Sequence, residues 1–118
     1  MSERLITIAE TATFIRNAAK LWSEAERTEF PDFISTNTEA GDIIPDTGGI
    51  RKVRWGRQGM GKRGGVRVIY FYHNGYMPLY LITVYAKAER ENITPDEKRL
   101  MVDFVTAIKH KFKQKDAK

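Results

Sequence analysis

Basic side chains are concentrated in one short, glycine-rich stretch of the chain, GGIRKVRWGRQGMGKRGGVR, residues 48–67. This stretch holds seven of the nine glycines and seven of the twenty Lys and Arg residues, and it contains no acidic residue. Residues 1–47 carry four basic and nine acidic side chains, whereas the whole chain has a net charge of +5. Such a block of like charge is either solvated or kept because something negative binds there.

The first half of this stretch predicts a strand with one cationic side. In the segment IRKVRW, residues 50–55, Lys52 and Arg54 fall on one face because side chains alternate along a strand. Arg51 and Trp55 fall on the other face. An aromatic side chain close to several cations suits phosphate contact combined with base stacking.

The second half places a charge in an unusual position. Arg67 begins an otherwise apolar strand, where a charged group is costly unless it has a partner or a purpose. Further on, Tyr85 and Lys87 are two residues apart on one predicted strand and are expected to share a face. The intervening glycine-rich loop adds three more cations: Arg57, Lys62 and Arg63. Together these features favour a polyanion-binding surface over a solvated basic loop.

Two nucleotide-binding patterns occur literally in this loop, and both lack the required context. G-x-G-x-x-G starts at Gly59, but the pattern needs a following helix to receive the pyrophosphate, whereas a strand is predicted here. G-x-x-x-x-G-K starts at Gly56, but Arg63 stands where a Ser or Thr must bind magnesium. We therefore interpret the glycines as the flexible tip of a hairpin.

Composition excludes several other classes of site. The chain has no cysteine, and its two histidines, His73 and His110, are far apart in the sequence, so no disulfide or structural metal site is expected. The longest apolar runs are too short to span a bilayer or to form a signal peptide. We expect a cytoplasmic, soluble protein that forms a single domain over residues 1–118.

The apolar pattern predicts the elements that must position the cations. A short β-rich run begins the sheet, and two helices in hairpin order follow it. Ser23 and Glu26 have the spacing of a capping box that opens the second helix, and Pro31 predicts either a kink or a start only at that proline. The Asn74-Gly75 pair predicts a tight hairpin turn between the last two strands.

A helix closes the chain, with Thr94 as its N-cap, Pro95 in its first turn and Glu97 completing a capping box. Its predicted sheet-facing stripe comprises Leu100, Met101, Phe104, Val105, Ile108 and Phe112. Strands are predicted at 4–9, 50–55, 66–72 and 78–87, with 38–49 as a connection. The order βααβββα predicts an α+β fold in which helices cover a small, mainly antiparallel sheet.

Three stretches, taken together and in order, resemble a known family. They read DTGGIRKVR, GKRGGVRVIYF and LITVYAKAE, beginning at Asp46, Gly61 and Leu81. On these motifs the chain resembles the HigB branch of the RelE/ParE superfamily, the toxins of bacterial type II toxin-antitoxin modules. The resemblance covers nearly the whole chain and implies a RelE-like fold.

The resemblance also implies an activity and partners. Members of this group are implied to cleave translated mRNA in the ribosomal A site, with no cofactor or metal, through attack of the substrate's own 2′-hydroxyl on the adjacent phosphate. An antitoxin, usually with a helix-turn-helix domain, is implied to neutralise them. Promoter DNA is reached only through that antitoxin complex.

Site residues follow from the same motifs. Arg67 is expected on the scissile phosphate, Lys52 and Arg54 match the basic strand pair, and Lys87 matches the lysine after the last strand. No tyrosine follows Lys87, so Tyr85 is the aromatic candidate. The expected contacts with RNA are Arg51, Trp55, Arg57, Lys62 and Arg63.

Two alternatives remain open at this point. The ParE branch shares the fold but acts on DNA gyrase, and its members generally lack this concentration of basic residues. A non-catalytic module could use the same cations only to hold RNA or ribosomal phosphates. Mapping transcript ends after induction of the protein in bacteria separates the three functions.

Overall fold

The structure is a computed structural model that describes residues 6–56 and 65–116. Its elements, in chain order, are β1 Ile8–Glu10, α1 Ala12–Leu21, α2 Glu24–Thr36, β2 Asp42–Ile43, β3 Ile50–Trp55, β4 Val66–Phe71, β5 Leu79–Ala86 and α3 Pro95–Asp116. Within these ranges no helix combines the length and the apolar content that a bilayer span requires.

The strands form one five-stranded sheet in the order β1-β5-β4-β3-β2. β1 runs parallel to β5, and the other neighbouring pairs are antiparallel. All six residues of β4 are buried, so this central strand is covered on both faces. The predicted α+β fold with a mainly antiparallel sheet is therefore confirmed.

Helices α1 and α2 cover one face of the sheet. Phe14 and Ala18 of α1 and Phe30 and Ile34 of α2 are buried in one apolar cluster, because the spacing of apolar residues gives each helix a single apolar stripe. The strand residues in this cluster are Val53, Val66, Val68, Tyr70, Leu79, Leu81 and Val84. Full burial of a side chain such as Phe30 contributes about 1.5–3 kcal/mol through the hydrophobic effect.

Helix α3 covers part of the opposite face. Its buried residues Met101, Val105 and Ile108 contact a second apolar cluster of strand residues that includes Ile50 and Ile69. The capping box predicted at its start is present: the Glu97 N–H donates to Thr94 Oγ1 at 3.1 Å, and the Thr94 N–H donates to Glu97 Oε1 at 2.7 Å. Leu100 was predicted to face the sheet, but it is 69% exposed, because the helix turns this position towards solvent.

Two predictions concern α2: the capping box at its start and the effect of Pro31. The Ser23–Glu26 capping box is confirmed, with both reciprocal hydrogen bonds formed. A start at Pro31 is wrong: α2 begins at Glu24 and continues past the proline. The capping box and the burial of Phe30 and Ile34 hold the helix together where the missing proline N–H would interrupt it.

Two further differences concern the connections. The segment 38–49, predicted to be irregular, contains the two-residue strand β2, which pairs with Arg51 and Lys52 of β3. The hairpin predicted between β4 and β5 is confirmed: β4 ends at Phe71 and β5 begins at Leu79, each within one residue of the predicted bound. The Asn74-Gly75 pair lies in the connection, but neither residue has the positive φ of a type I′ turn.

Candidate functional site

Three of the predicted site residues lie side by side across the sheet. Arg54 of β3 is the register partner of Arg67 of β4, and Arg67 is the register partner of Tyr85 of β5. Directly opposed residues on neighbouring antiparallel strands have Cβ atoms about 4.5–5.5 Å apart and point to the same face. We call these residues, Arg54, Arg67 and Tyr85, the cationic row.

A β-bulge sends Tyr85 to this face. Ile69 pairs with Thr83 and Tyr70 with Leu81, so Ile82 is an extra residue in β5. Leu81 packs in the cluster under α1 and α2, whereas Tyr85 packs in the cluster under α3. A regular strand would place residues 81 and 85 on the same face, so the bulge is what brings Tyr85 beside Arg67.

Arg67 is the least exposed charged residue in the row. It is only 6% exposed, and among the described residues its guanidinium makes no hydrogen bond or ion pair. Its neighbour Arg54 is exposed and also lacks an ion pair in these ranges. Like charges directly opposite one another destabilise a sheet. A bound anion would offset the repulsion between the two arginines.

The two arginines of the row open into a polar cleft of about 570 Å³. Tyr85 lines a separate pocket together with Arg90. Arg54 and Arg67 line the cleft together with Lys52, which lies on the same face of β3, and two acidic residues, Asp42 and Glu91. Lys52 Nζ donates a hydrogen bond to Asn92 Oδ1 at 2.8 Å. The cleft therefore combines three cations with two carboxylates.

Tyr85 is buried, and its hydroxyl donates to the Glu91 carbonyl at 3.1 Å. Burial raises the pKa of Tyr85 above its usual value of about 10, an effect that the positive charges of Arg90 and Arg67 partly offset. The phenol therefore stays protonated at neutral pH. In this form it can donate a hydrogen bond.

Lys87 lies just beyond the row, at the end of β5. Its backbone N–H donates to the Gly65 carbonyl at 3.1 Å, and its side chain is exposed. It is two residues along the chain from Tyr85, so the fifth predicted catalytic residue also belongs to this end of the sheet.

Arg51 and Trp55 lie on the opposite face of β3. Arg51 Nη1 donates to the Gly41 carbonyl at 2.6 Å, which ties the segment before β2 to the strand. The Trp55 ring is 4.8 Å from the Phe33 ring and 5.2 Å from the Phe30 ring, centroid to centroid. Both side chains thus have structural contacts away from the cationic row, and their RNA-binding role stays a prediction.

Arg57, Lys62 and Arg63, with the predicted flexible hairpin tip, lie outside the described residues. No group of three or more His, Asp or Glu side chains within 6–56 and 65–116 is arranged to hold a metal ion.

Sequence reasoning missed the segment between β5 and α3. Glu91 and Asn92 from this segment contact Tyr85 and Lys52, and Arg90 lies over the Tyr85 ring, 4.5 Å from its centroid. The only sequence signal nearby was the capping box of Thr94 and Glu97, which marks the start of α3 and carries no information about the contacts of the preceding residues.

Fold and site together define a small α+β domain that presents cations and a tyrosine on one face of a five-stranded sheet. Comparison with protein families agrees with this architecture. The chain matches the model of the RelE toxin of the RelE/RelB toxin-antitoxin system over residues 7–117, and it belongs to that family.

Proposed function

We propose that this RelE-family toxin is a ribosome-dependent mRNA endonuclease of the HigB type. The observation that carries the proposal is the cationic row. It places two arginines next to each other with no carboxylate paired to either in the described chain, one of them 6% exposed, and a protonated tyrosine beside them. Such a cluster is suited to a phosphate group whose negative charge increases during the reaction.

The proposed reaction needs no metal. The 2′-oxygen of one nucleotide attacks the adjacent phosphorus and loses its proton, the bond from phosphorus to the 5′-oxygen breaks, and that oxygen takes up a proton. The products are a 2′,3′-cyclic phosphate and a free 5′-hydroxyl. Preorganised hydrogen-bond donors stabilise the extra negative charge of the transition state, and removing one typically costs about 10²–10³ in rate.

We assign roles by position in the cleft. Arg67, at the centre of the row, is proposed to hold the scissile phosphate, with Arg54 and Lys52 on the neighbouring strand. The Tyr85 hydroxyl is proposed to exchange its hydrogen bond to the Glu91 carbonyl for one to the phosphate. Lys87 is proposed to contact the phosphate from the end of β5. The proposed contacts with RNA or the ribosome are Arg51, Trp55, Arg57, Lys62 and Arg63.

The family description pairs the RelE toxin with a RelB antitoxin. We propose that a cognate antitoxin, with a helix-turn-helix domain, neutralises this toxin in the same way. Contact with promoter DNA would then occur through the antitoxin and not through the toxin itself.

The test is to induce the protein in bacteria and map transcript ends. Cleavage within translated messages is expected for the wild type. Arg67→Ala should remove the cuts, with a loss of about 10²–10³ in cleavage rate by translating ribosomes. The matched control is Arg16→Ala, which removes the same charge from an exposed position on α1.

Each alternative predicts a different result. Intact RNA with DNA damage would assign the protein to the gyrase-directed branch. Intact RNA with normal growth would favour a non-catalytic RNA-binding module. Full cleavage by Arg67→Ala would contradict the assignment of the row.

A further inference from the structure

Tyr85 has two arginine neighbours, one on the adjacent strand and one over its ring. Arg67 flanks it from β4 as its register partner. On another side, the guanidinium carbon of Arg90 lies 4.5 Å from the centroid of the Tyr85 ring. A guanidinium at this distance over an aromatic face is attracted by the ring, and its plane can also stack on it.

Arg90 is itself held firmly. Its Nη1 and Nη2 atoms donate to Glu97 Oε1 and Oε2 at 2.6 and 3.0 Å, a bidentate pair with defined geometry. Glu97 Oε1 also accepts the backbone N–H of Thr94 in the capping box of α3. Arg90 is therefore joined to the first turn of a 22-residue helix, an element far stiffer than the loop that carries it.

This chain of contacts determines where the Tyr85 hydroxyl lies. Tyr85 is buried, with Arg90 over its ring, and its hydroxyl donates to the Glu91 carbonyl at 3.1 Å. Glu91 lines the cleft together with Arg54 and Arg67. The hydrogen bond therefore holds the hydroxyl against the segment that borders the cleft.

We propose that Arg90, clamped by Glu97, is a positioning residue that orients the Tyr85 hydroxyl for RNA cleavage. The inference rests on the proposed function and extends it to a residue outside the cationic row. Arg90 is not among the residues that line the cleft. It acts through Tyr85, at a distance from the reacting atoms.

The simpler reading is that Arg90 and Glu97 form an ordinary ion pair that stabilises the start of α3. Their side chains are 31% and 35% exposed, which is within the range where such pairs contribute little. The chain offers a matched control in Arg99, whose Nη1 pairs with Asp96 at 3.2 Å in the same turn of α3 and has no contact with Tyr85.

The experiment measures cleavage of a message on translating ribosomes by the full-length toxin, under single-turnover conditions and over a range of toxin concentrations. For Arg90→Ala we expect the saturating rate to fall about tenfold, while the half-saturating concentration stays within about twofold. Glu97→Gln retains a residue that can complete the capping box but loses the charge that holds Arg90. It should lower the rate in the same direction, and Arg99→Ala should leave it unchanged.

A double-mutant cycle separates positioning from stability. If Arg90 acts through the hydroxyl, Arg90→Ala should cause no further loss in a Tyr85→Phe background. If the two losses multiply, or if the folded Arg90→Ala protein cleaves at the wild-type rate, the inference is overturned. Circular dichroism checks that each variant is folded. Should Arg90→Ala not fold, Glu97→Gln is used for the same cycle.

Failure of the inference and failure of the proposed function give different results. An inactive Arg67→Ala together with a fully active Arg90→Ala overturns only the role of Arg90. A fully active Arg67→Ala overturns the proposed cleavage site, and the role of Arg90 with it.

Discussion

The two faces of the central strands are filled in different ways. On the face under α1 and α2, the side chains of β3, β4 and β5 other than Arg51 are apolar or aromatic and pack into one continuous cluster around Phe30 and Val68. On the other face, apolar packing under α3 extends only as far as Ile69 and Tyr85. Beyond that point the positions that would continue the core are occupied by Arg54 and Arg67.

Polar groups are also treated differently on the two faces. Under α1 and α2, the Tyr70 hydroxyl donates to the Thr38 carbonyl at 2.8 Å and accepts the Gly41 N–H at 2.9 Å, and Arg51 donates to the Gly41 carbonyl. One polar atom on this face, Trp22 Nε1, is buried without a hydrogen-bond partner among the described residues. Arg67, by contrast, lines the cleft and pairs with no carboxylate in the described chain. Its place in the cleft therefore distinguishes Arg67 from the polar residues that build the fold.

The first prediction tests the packed face. Phe30→Ala should lower the free energy of unfolding by about 3–5 kcal/mol, because Phe30 is fully buried and its removal leaves a cavity between α2 and the sheet. Urea unfolding measures this change. At a temperature where the variant remains folded, its RNA cleavage should match the wild type.

The control for this prediction is Ile15→Ala, at a position on α1 that is 47% exposed. Its effect on unfolding should stay within about 0.5 kcal/mol. A Phe30→Ala loss as small as that of the control would mean that the face under α1 and α2 is not the main stabilising core.

The second prediction tests the open end of the other face. Arg67→Met should abolish cleavage but raise the free energy of unfolding by about 0.5–1 kcal/mol, because it removes a like-charge neighbour of Arg54 and keeps an apolar side chain of similar length. Thermal unfolding and the ribosome assay measure the two effects on one sample.

A loss of stability in Arg67→Met would contradict this prediction. If Arg67→Met unfolded more easily than the wild type by 2 kcal/mol or more, Arg67 would have to be a structural residue with a partner. Arg67 would then belong with the residues that build the fold, and the proposed difference between the two faces of the sheet would be wrong.

Sequence reasoning succeeded where a local pattern fixes the outcome. Alternation placed Lys52 and Arg54 on one face of β3, as the structure confirms, and the capping-box spacings marked the starts of α2 and α3 correctly. The charge of Arg67 in an apolar strand was also visible. These features depend only on neighbours within a few residues.

Features that depend on tertiary contacts were not accessible in the same way. The bulge at Ile82 leaves no mark in a continuous run of β-forming residues, yet it decides which face Tyr85 occupies. β2 has two residues and exists only because β3 is beside it. Arg90 looked like an ordinary loop residue, since its importance comes from Tyr85 and Glu97 together.

The third prediction, which has the smallest expected effect, concerns how stability depends on pH through Glu97, the partner of Arg90. The hydrogen bond from Arg90 lowers the pKa of Glu97 below its ordinary value of about 4.5. A carboxyl with a lowered folded-state pKa stabilises the fold above its ordinary pKa, and this contribution is lost as the pH falls through the folded value. Wild type should therefore lose stability below about pH 4.5 more steeply than Glu97→Gln.

Urea unfolding of both proteins between pH 7 and pH 3 measures this difference, which should shrink at high salt because both side chains are about one-third exposed. The face under α1 and α2 offers the contrast. Phe30→Ala should shift the whole pH profile downward without changing its slope, because an apolar cavity does not change proton binding. If the free energies of unfolding of wild type and Glu97→Gln changed with pH in parallel, the Arg90–Glu97 ion pair would contribute nothing to stability. Its effect on Tyr85 would then be the remaining role of the pair.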